Sequence, residues 1–237
     1  MNRAGIILQA RLGSSRLPGK VLAPLGSRTI LDHCVCRLRM SGLPVVIATT
    51  DQPEDDAVER AAQKLGVDVF RGAEHDVLSR FIGAATAHGI TEIIRATADN
   101  PLVDPGAARR TLAFRQRVGA DHVIECGLPL GTAVEVVLLD ALDRASSLIS
   151  DPYDREHVTS FVRRDARFKA LRAVAPGDLR RPGLRLTVDT PEDLEFIREV
   201  YGSLDCGREI PPLTAVIKAA DALLVRTVVQ KRIKQGA

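Results

Sequence analysis

Short apolar runs alternate with segments of helical periodicity along most of the chain. Two amphipathic helices are indicated by apolar residues three and four positions apart, at Ile30, Leu31, Cys34, Val35 and Leu38, and at Ala57, Val58, Ala61, Ala62 and Leu65. Alternating strands and helices predict an α/β protein whose helices cover both faces of a parallel sheet. The predicted strands are residues 5–10, 45–49, 67–70, 92–96, 122–125, 134–139 and 184–188.

Prolines mark the beginnings of three predicted helices. Pro53, Pro105 and Pro191 each follow a short polar segment and precede a helical pattern, as expected for proline in a first turn. Residues 190–193 (TPED) resemble a capping box with Asp in place of the usual Glu or Gln. Because no repeat or low-complexity linker interrupts the pattern, we expect a single domain over residues 1–237, with residues 205–237 as a C-terminal helical extension.

Composition narrows the classes of partner. With 45% hydrophobic and 27% charged residues the chain has the balance of a globular protein, and with 3% aromatics and no Trp it has few rings on which nucleic-acid bases could stack, so we expect no nucleic-acid partner. We expect no membrane partner and a cytoplasmic location, because no run of about 18 apolar residues and no secretory signal pattern is present. Zinc and redox sites have little support, because no CxxC pair occurs among Cys34, Cys36, Cys126 and Cys206.

A small basic loop, residues 13–20 (GSSRLPGK), follows the first predicted strand. It is not a Walker loop, because five residues rather than four separate the first glycine from the Gly-Lys pair and Val21 stands where Ser or Thr would reach a metal. It also lacks the glycine spacing of a dinucleotide-binding turn. Its charges, Arg11, Arg16 and Lys20, suit a polyphosphate, although ordinary loop charges would look the same in isolation.

Two carboxylates follow predicted strands at the edge where such sheets bind ligands. Asp99 comes after residues 92–96 and Asp189 directly after residues 184–188. If both strands run parallel to the first, these carboxylates and the basic loop converge, an arrangement suited to a triphosphate carrying Mg²⁺. The structural alternatives are that Asp99 starts a turn and that Asp189 sits beside a helix cap.

Several motifs together resemble one enzyme family. The opening segment, residues 7–22 (ILQARLGSSRLPGKVL), closely resembles the signature of the cytidylyltransferase family that includes the spore-coat polysaccharide cytidylyltransferases and is related to the CMP-sugar-acid synthetases. The resemblance covers residues 4 to about 200. It continues through residues 48–51, 53–56, 70–72, 76–80, 99–105, 134–136, 155–159 and 187–194.

The resemblance implies a fold, a reaction and a site. The fold is a nucleotide-diphospho-sugar-transferase-like, Rossmann-like three-layer sandwich with a mostly parallel mixed sheet, and the reaction transfers CMP from CTP to an acidic sugar or related acceptor with release of pyrophosphate. Asp99 and Asp189 are expected to hold Mg²⁺, and Lys20, Arg11 and Arg16 to be catalytic. Acceptor-binding residues are expected at Glu135, Arg155, Glu156 and His157. Nucleotide-binding residues are expected at Leu8, Gln9, Ala10, Arg11, Gly13, Ser14, Ser15, Arg16, Lys20, Thr49, Asp76, Arg80 and Ala98.

Some positions depart from the family pattern and leave alternatives open. Ala98 and Asn100 flank the metal aspartate where Gly and Cys are commoner, and Ala133 replaces an Asp, which leaves the acceptor open. The alternatives are a nucleotidyltransferase that uses another nucleoside triphosphate, a non-catalytic nucleotide-binding module, and a related glycosyltransferase, although the second acid of its metal motif is missing after Asp99. The apolar C-terminal helix predicts a homodimer.

Overall fold

A computed structural model describes residues 3–204 and 210–235, with side chains as far as residue 226. The strands are β1 Ala4–Gln9, β2 Pro24–Leu25, β3 Arg28–Thr29, β4 Val45–Thr50, β5 Asp68–Gly72, β6 Glu92–Thr97, β7 His122–Cys126, β8 Glu135–Leu138 and β9 Ala170–Val174. The helices are α1 Ile30–Arg39, α2 Asp56–Leu65, α3 Val77–Ala87, α4 Ala107–Val118, α5 Leu139–Ser146, α6 Pro152–His157, α7 Ser160–Arg164, α8 Pro191–Ser203 and α9 Leu213–Gln235.

Seven of these strands form one mixed sheet in the order β5-β4-β1-β6-β8-β7-β9, and β2 and β3 form a separate hairpin. Strand β8 pairs antiparallel with both of its neighbours, whereas every other pairing in the large sheet is parallel. The carboxyl ends of β4, β1 and β6 therefore lie side by side. The predicted α/β architecture with a mostly parallel mixed sheet is confirmed.

Each strand at the centre of the sheet sends alternate side chains into two apolar layers. In β1, Ile6 and Leu8 join the core shared with α1, α8 and α9, whereas Ile7 joins the core shared with α3 and α5. Burial on both faces explains why this strand is a continuous apolar run rather than an alternating one. Helices on both sides of the sheet make the predicted three-layer arrangement.

Six of the seven predicted strands are present with ends shifted by at most two residues. The seventh, residues 184–188, is wrong as a strand, since it forms only one isolated bridge, between Leu130 and Arg185. Its backbone hydrogen bonds are divided between the loop at Leu130, which pairs with residues 184 and 186, and the loop at Asp99, whose carbonyl accepts from the Val188 amide. No continuous ladder with one strand therefore develops. Strand β9 was missed because it lies at the sheet edge and only Ala173 is buried in it.

The predicted helix starts agree with the observed caps. Pro191 is the first residue of α8, the Thr190 hydroxyl accepts from the Asp193 amide at 3.3 Å, and Asp193 Oδ2 accepts from the Thr190 amide at 3.0 Å. Pro53 begins a 3₁₀ turn that leads into α2, and Pro105 precedes α4. The capping box is therefore confirmed, with aspartate at the third residue of the helix.

The C-terminal helix packs onto the same core over its first turns. Its buried face joins the core shared with α8 and consists of Leu213, Val216, Ile217 and Ala220. Farther along, Leu224 and Val225 are exposed. Cys206 lies outside the described residues, and among the helices that are described none has the length and hydropathy needed to cross a bilayer.

Candidate active site

The basic loop after β1 folds back over the carboxyl edge of the sheet. The Leu12 amide donates to Asp55 Oδ1 at 2.7 Å and the Gly19 amide to the Leu12 carbonyl at 3.0 Å, which closes the loop. Gly19 has φ 70°, a left-handed conformation that favours glycine, and it starts the 3₁₀ turn Lys20–Leu22. Buried Val21 anchors that turn, so Lys20 is held at the sheet edge.

Lys20 lies between the two predicted metal aspartates. Its ammonium is 3.0 Å from Asp99 Oδ2, 2.9 Å from Asp189 Oδ1 and 2.8 Å from the Val188 carbonyl. The hydrogen bond from the Val188 amide to the Asp99 carbonyl, 2.8 Å long, aligns the segment before Asp189 with the end of β6. The convergence expected from the sequence is present, although Asp189 reaches it from an extended segment and not from a strand.

Other polar groups hold these carboxylates. The Thr97 hydroxyl donates to Asp99 Oδ1 at 2.7 Å, and Arg185 donates to Asp189 Oδ2 at 2.7 Å. Arg16 lies 3.3 Å from Asp189 Oδ1. Partial burial acts to raise the pKa of Asp189, but hydrogen bonds from Lys20 and Arg185 outweigh it and lower that pKa below its ordinary value. The sequence reasoning missed Arg185, because a spacing of four residues brings side chains together in a helix and this segment is extended.

A cavity of about 350 Å³ opens beside this cluster, and we call it the nucleotide cavity because most of the predicted nucleotide-binding residues line it. Three of its lining residues were not predicted, namely Val21, Arg95 and Thr97. The predicted site residues that it brings together are Gln9, Ala10, Arg11, Ser14, Ser15, Arg16, Lys20, Ala98, Asp99, Glu156, His157 and Asp189. Most of the predicted nucleotide site, the metal pair and part of the predicted acceptor site therefore share one cavity.

A second cavity of about 680 Å³ adjoins the first, since Arg11 and Glu156 line both. Gly13 lines this second cavity together with Tyr153, whose ring centroid lies 4.1 Å from that of His157. Arg11 is 3.7 Å from Glu74 and 3.8 Å from Glu156. The two cavities are thus neighbours that share Arg11 and Glu156, and the second reaches α6.

Six of the predicted site residues line neither of these two cavities, namely Leu8, Thr49, Asp76, Arg80, Glu135 and Arg155. Leu8 is buried in the core, and the buried Thr49 hydroxyl has no hydrogen-bond partner. Asp76 caps α3 by accepting from the Ser79 amide and forms an ion pair with Arg155 at 2.7 Å, which ties α3 to α6. Arg80 is buried and donates to the Ala73 carbonyl, while its Nε and one terminal nitrogen have no partner. Desolvation lowers the Arg80 pKa to about 10.

Glu135 lies in a third cavity, about 330 Å³ in volume, and not with Glu156 and His157. The Thr159 hydroxyl donates to it at 2.5 Å, Arg163 donates at 3.3 Å, and Arg95 lies 3.8 Å away. Burial acts to raise the pKa of Glu135, but the His122 ring, whose Nε2 lies 3.5 Å from Glu135 Oε2, and the charge of Arg95 outweigh it and lower that pKa to about 2. The predicted acceptor residues are thus divided between two cavities, and Arg95 and Thr97 line both of them.

A strained turn fixes the end of α6 beside the nucleotide cavity. Val158 has φ 55° and ψ −61°, and the Thr159 amide donates to the His157 carbonyl at 2.6 Å across it. A left-handed φ is unfavourable for a β-branched residue, and complete burial of Val158 holds it in place. The turn places His157 in the nucleotide cavity while the next hydroxyl, that of Thr159, reaches Glu135.

The donor set around Lys20 fits a magnesium ion carried by a phosphate ligand. Two carboxylate oxygens and one carbonyl oxygen already converge on a single cation, and Mg²⁺ in nucleotide sites commonly takes only one or two carboxylates. Among the described residues no group of three or more His, Cys, Asp or Glu side chains could hold a metal. The protein could therefore supply Asp99 and Asp189, with phosphate oxygens and water as the remaining ligands.

Comparisons with known proteins agree with this geometry. The family model described as cytidylyltransferase matches residues 5–220. The spore coat polysaccharide biosynthesis protein SpsF of Bacillus subtilis (strain 168) is 42% identical over 211 residues, which cover 85% of this chain and 87% of that protein. A cytidylyltransferase structure from Leptospira borgpetersenii superposes with a TM-score of 0.87 at 31% identity, covering 95% of this chain and 96% of that one.

A more distant structure supports the fold alone. It is a CMP:2-keto-3-deoxy-manno-octonic acid synthetase complexed with CTP, which superposes with a TM-score of 0.66 at 21% identity and covers 85% of this chain and 99% of that one. The predicted nucleotide-diphospho-sugar-transferase-like fold is confirmed. The match over residues 5–220 and the 42% identity to SpsF show that the chain belongs to the cytidylyltransferase family and is a CTP-dependent nucleotidyltransferase.

Proposed function

We propose that this enzyme transfers CMP from CTP, with Mg²⁺, to an acidic sugar and releases pyrophosphate. The observation that carries the proposal is the contact of the Lys20 ammonium with Asp99 and Asp189 beside the basic loop. The sugar acid is supported by a 3-deoxy-manno-octulosonate cytidylyltransferase of Pectobacterium carotovorum, which is 30% identical over 165 residues, or 64% of this chain. The cytidylyltransferase family model supports CTP as the nucleotide.

The basic loop would bind the triphosphate. Arg11, Arg16 and Lys20 line one wall of the nucleotide cavity, and Lys20 is only 11% exposed, so its charge is weakly screened. An acceptor oxygen would attack the α-phosphorus in line while pyrophosphate departs on the opposite side. The three cations would stabilise negative charge that accumulates on the departing pyrophosphate, an effect that is strongest where water is excluded.

Asp99 and Asp189 would hold the magnesium ion. When bound, Mg²⁺ supplies Lewis-acid polarisation of the phosphate and neutralises charge on it. The hydrogen bond from Thr97 to Asp99 and that from Arg185 to Asp189 orient the two carboxylates toward the same side. These supporting contacts keep both carboxylates in place before the nucleotide arrives.

Arg95 is the residue that would attract an acidic acceptor. It lines both the nucleotide cavity and the third cavity, and its buried Nε has no hydrogen-bond partner. Glu135 lies 3.8 Å from its guanidinium and would fix its position. The His157 ring, tilted 50° against that of Tyr153, would orient the acceptor. A carboxylate oxygen that attacks has no proton to lose, and an attacking hydroxyl would release its proton to water, so neither case requires His157 to transfer a proton.

The proposal extends to assembly and location. The exposed side chains of Leu224 and Val225 on α9 would be covered by a second copy of the chain in a homodimer. A cytoplasmic location is supported by the proposed use of CTP, which is an intracellular nucleotide.

A pyrophosphate-release assay tests the proposed reaction. The enzyme would be incubated with Mg²⁺, each of the four nucleoside triphosphates, and a panel of 2-keto sugar acids with matched neutral sugars. We expect release with CTP and a sugar acid, its loss in Asp99→Asn, and its retention in Asp178→Asn, which changes an exposed carboxylate outside the three cavities. A preference for a purine nucleotide would refute the nucleotide assignment. CTP binding with no release from any acceptor would instead indicate a non-catalytic binding module.

A further inference from the structure

All four oxygens of the two metal aspartates are occupied by the protein itself. Asp99 Oδ1 accepts from Thr97 and Oδ2 from Lys20. Asp189 Oδ1 accepts from Lys20 and lies 3.3 Å from Arg16, and its Oδ2 accepts from Arg185. Each carboxylate oxygen has a second lone pair, but the Lys20 ammonium fills the position between Asp99 and Asp189, so a divalent ion that binds both carboxylates must displace it.

The charges of this cluster balance without a metal. Lys20, Arg16 and Arg185 face Asp99, Asp189 and Asp193, and Arg185 bridges the last two by donating to each. Three cations against three carboxylates leave no net negative charge to attract a free divalent ion. A nucleoside triphosphate alters this balance because it adds several negative charges beside the loop.

Lys20 is the partner that a triphosphate can withdraw. Arg185 is fixed by contacts to Asp193 and Asp189, and Thr97 belongs to β6, whereas Lys20 comes from the phosphate-binding loop and ends in a flexible ammonium. Lys20 also contacts both aspartates at once, so its movement frees Asp99 Oδ2 and leaves Asp189 Oδ1 beside only the exposed Arg16 side chain. A single side-chain movement toward phosphate would thus expose a paired carboxylate site.

We propose that Lys20 is an internal cation that keeps the divalent-metal site closed until a nucleoside triphosphate draws its ammonium away. The metal then enters with the nucleotide and not before it. This inference rests on the proposed function, since it concerns the same two aspartates. It assigns Lys20 a positioning role in the free enzyme, in addition to charge neutralisation on the triphosphate.

Binding of Mn²⁺ alone to the full chain tests the inference. Free Mn²⁺ would be measured by electron paramagnetic resonance in titrations of the wild type and of Lys20→Met, which has a similar length without charge. We expect Lys20→Met to bind one Mn²⁺ at least about tenfold more tightly than the wild type, because a like charge no longer lies beside the metal. A purely structural role for Lys20 would not produce tighter metal binding.

Matched variants separate this inference from a general charge effect. Arg16→Met removes a cation near Asp189 only, so its Mn²⁺ affinity should stay within about threefold of the wild type. The double variant Lys20→Met, Asp99→Asn should lose the gained site. Lys20→Gln provides a second neutral variant if Lys20→Met does not fold.

The outcomes distinguish the inference from the proposed function. Equal Mn²⁺ affinity in the wild type and both Lys20 variants, or an equal gain in Arg16→Met, would overturn the inference. The proposed function would stand in that case if wild type with CTP removes more free Mn²⁺ than the same CTP does without protein. No Mn²⁺ binding to any of these proteins, with or without CTP, would overturn both.

Discussion

Replacement of Glu135 by glutamine should destabilise the protein strongly, because this carboxylate joins three elements of the fold. It lies at the start of β8, accepts from Thr159 and Arg163 on the far side of the strained turn, and faces Arg95 on β6. Its side chain is only 10% exposed. Glutamine keeps the shape but leaves two guanidinium groups without their shared counter-charge.

The pKa of Glu135 gives the magnitude of this effect. A folded-state pKa of about 2 against an ordinary value of 4.5 corresponds to about 3 kcal/mol of stabilisation by the ionised form. Because this pKa is depressed by folding, the stabilisation is fully present above pH 4.5 and disappears as the pH falls toward 2. The difference between wild type and Glu135→Gln should therefore shrink over that interval.

Urea unfolding of both proteins at pH 7, 5, 4 and 3 measures this difference. The control is Glu195→Gln, which removes an exposed carboxylate paired with Arg198 and should change the free energy of unfolding by less than about 1 kcal/mol. A loss below about 1 kcal/mol for Glu135→Gln at pH 7, or a loss that does not vary with pH, would refute the assignment of Glu135 as an ionised anchor. Unchanged CTP affinity is also expected, because Glu135 does not line the nucleotide cavity.

Three other variants probe the site and its support. Lys20→Ala should lower kcat/KM for CTP by about 10²- to 10³-fold in the pyrophosphate assay without unfolding the protein. A near-normal rate would contradict the catalytic role of Lys20. Asp193→Ala removes the side-chain half of the α8 capping box, which accepts from the Asp189 and Thr190 amides. Urea titration should therefore show a loss of about 1–2 kcal/mol, against no loss in Asp178→Asn. In a Cys206→Ser background, Cys34 should resist a thiol reagent at pH 8, because burial raises the pKa of its thiol. Half-buried Cys36 should react under the same conditions, and equal labelling rates of these two cysteines in the folded protein would contradict the prediction.

Local patterns determined the elements and the chemistry of the loop. The apolar run of residues 5–10 and the amphipathic spacing of residues 30–38 predicted a buried strand and its helix, because burial of one face or both faces imposes these periods. The cluster of Arg11, Arg16 and Lys20 after that strand indicates a polyphosphate from charge and position alone. Asp99 could be placed at the correct edge because it follows a strand of the same direction as β1.

Only the tertiary structure decided which distant groups meet. Lys20 contacts Asp99 and Asp189 across 79 and 169 residues, and Asp189 arrives on an extended segment fixed by loop hydrogen bonds that leave no periodic signal. The reversed direction of β8 places Glu135 in a cavity apart from His157, which spacing along the chain could not show. Hydrophobic periodicity reports which face of an element is buried, whereas strand order, strand direction and the pairing of remote charges depend on contacts between elements.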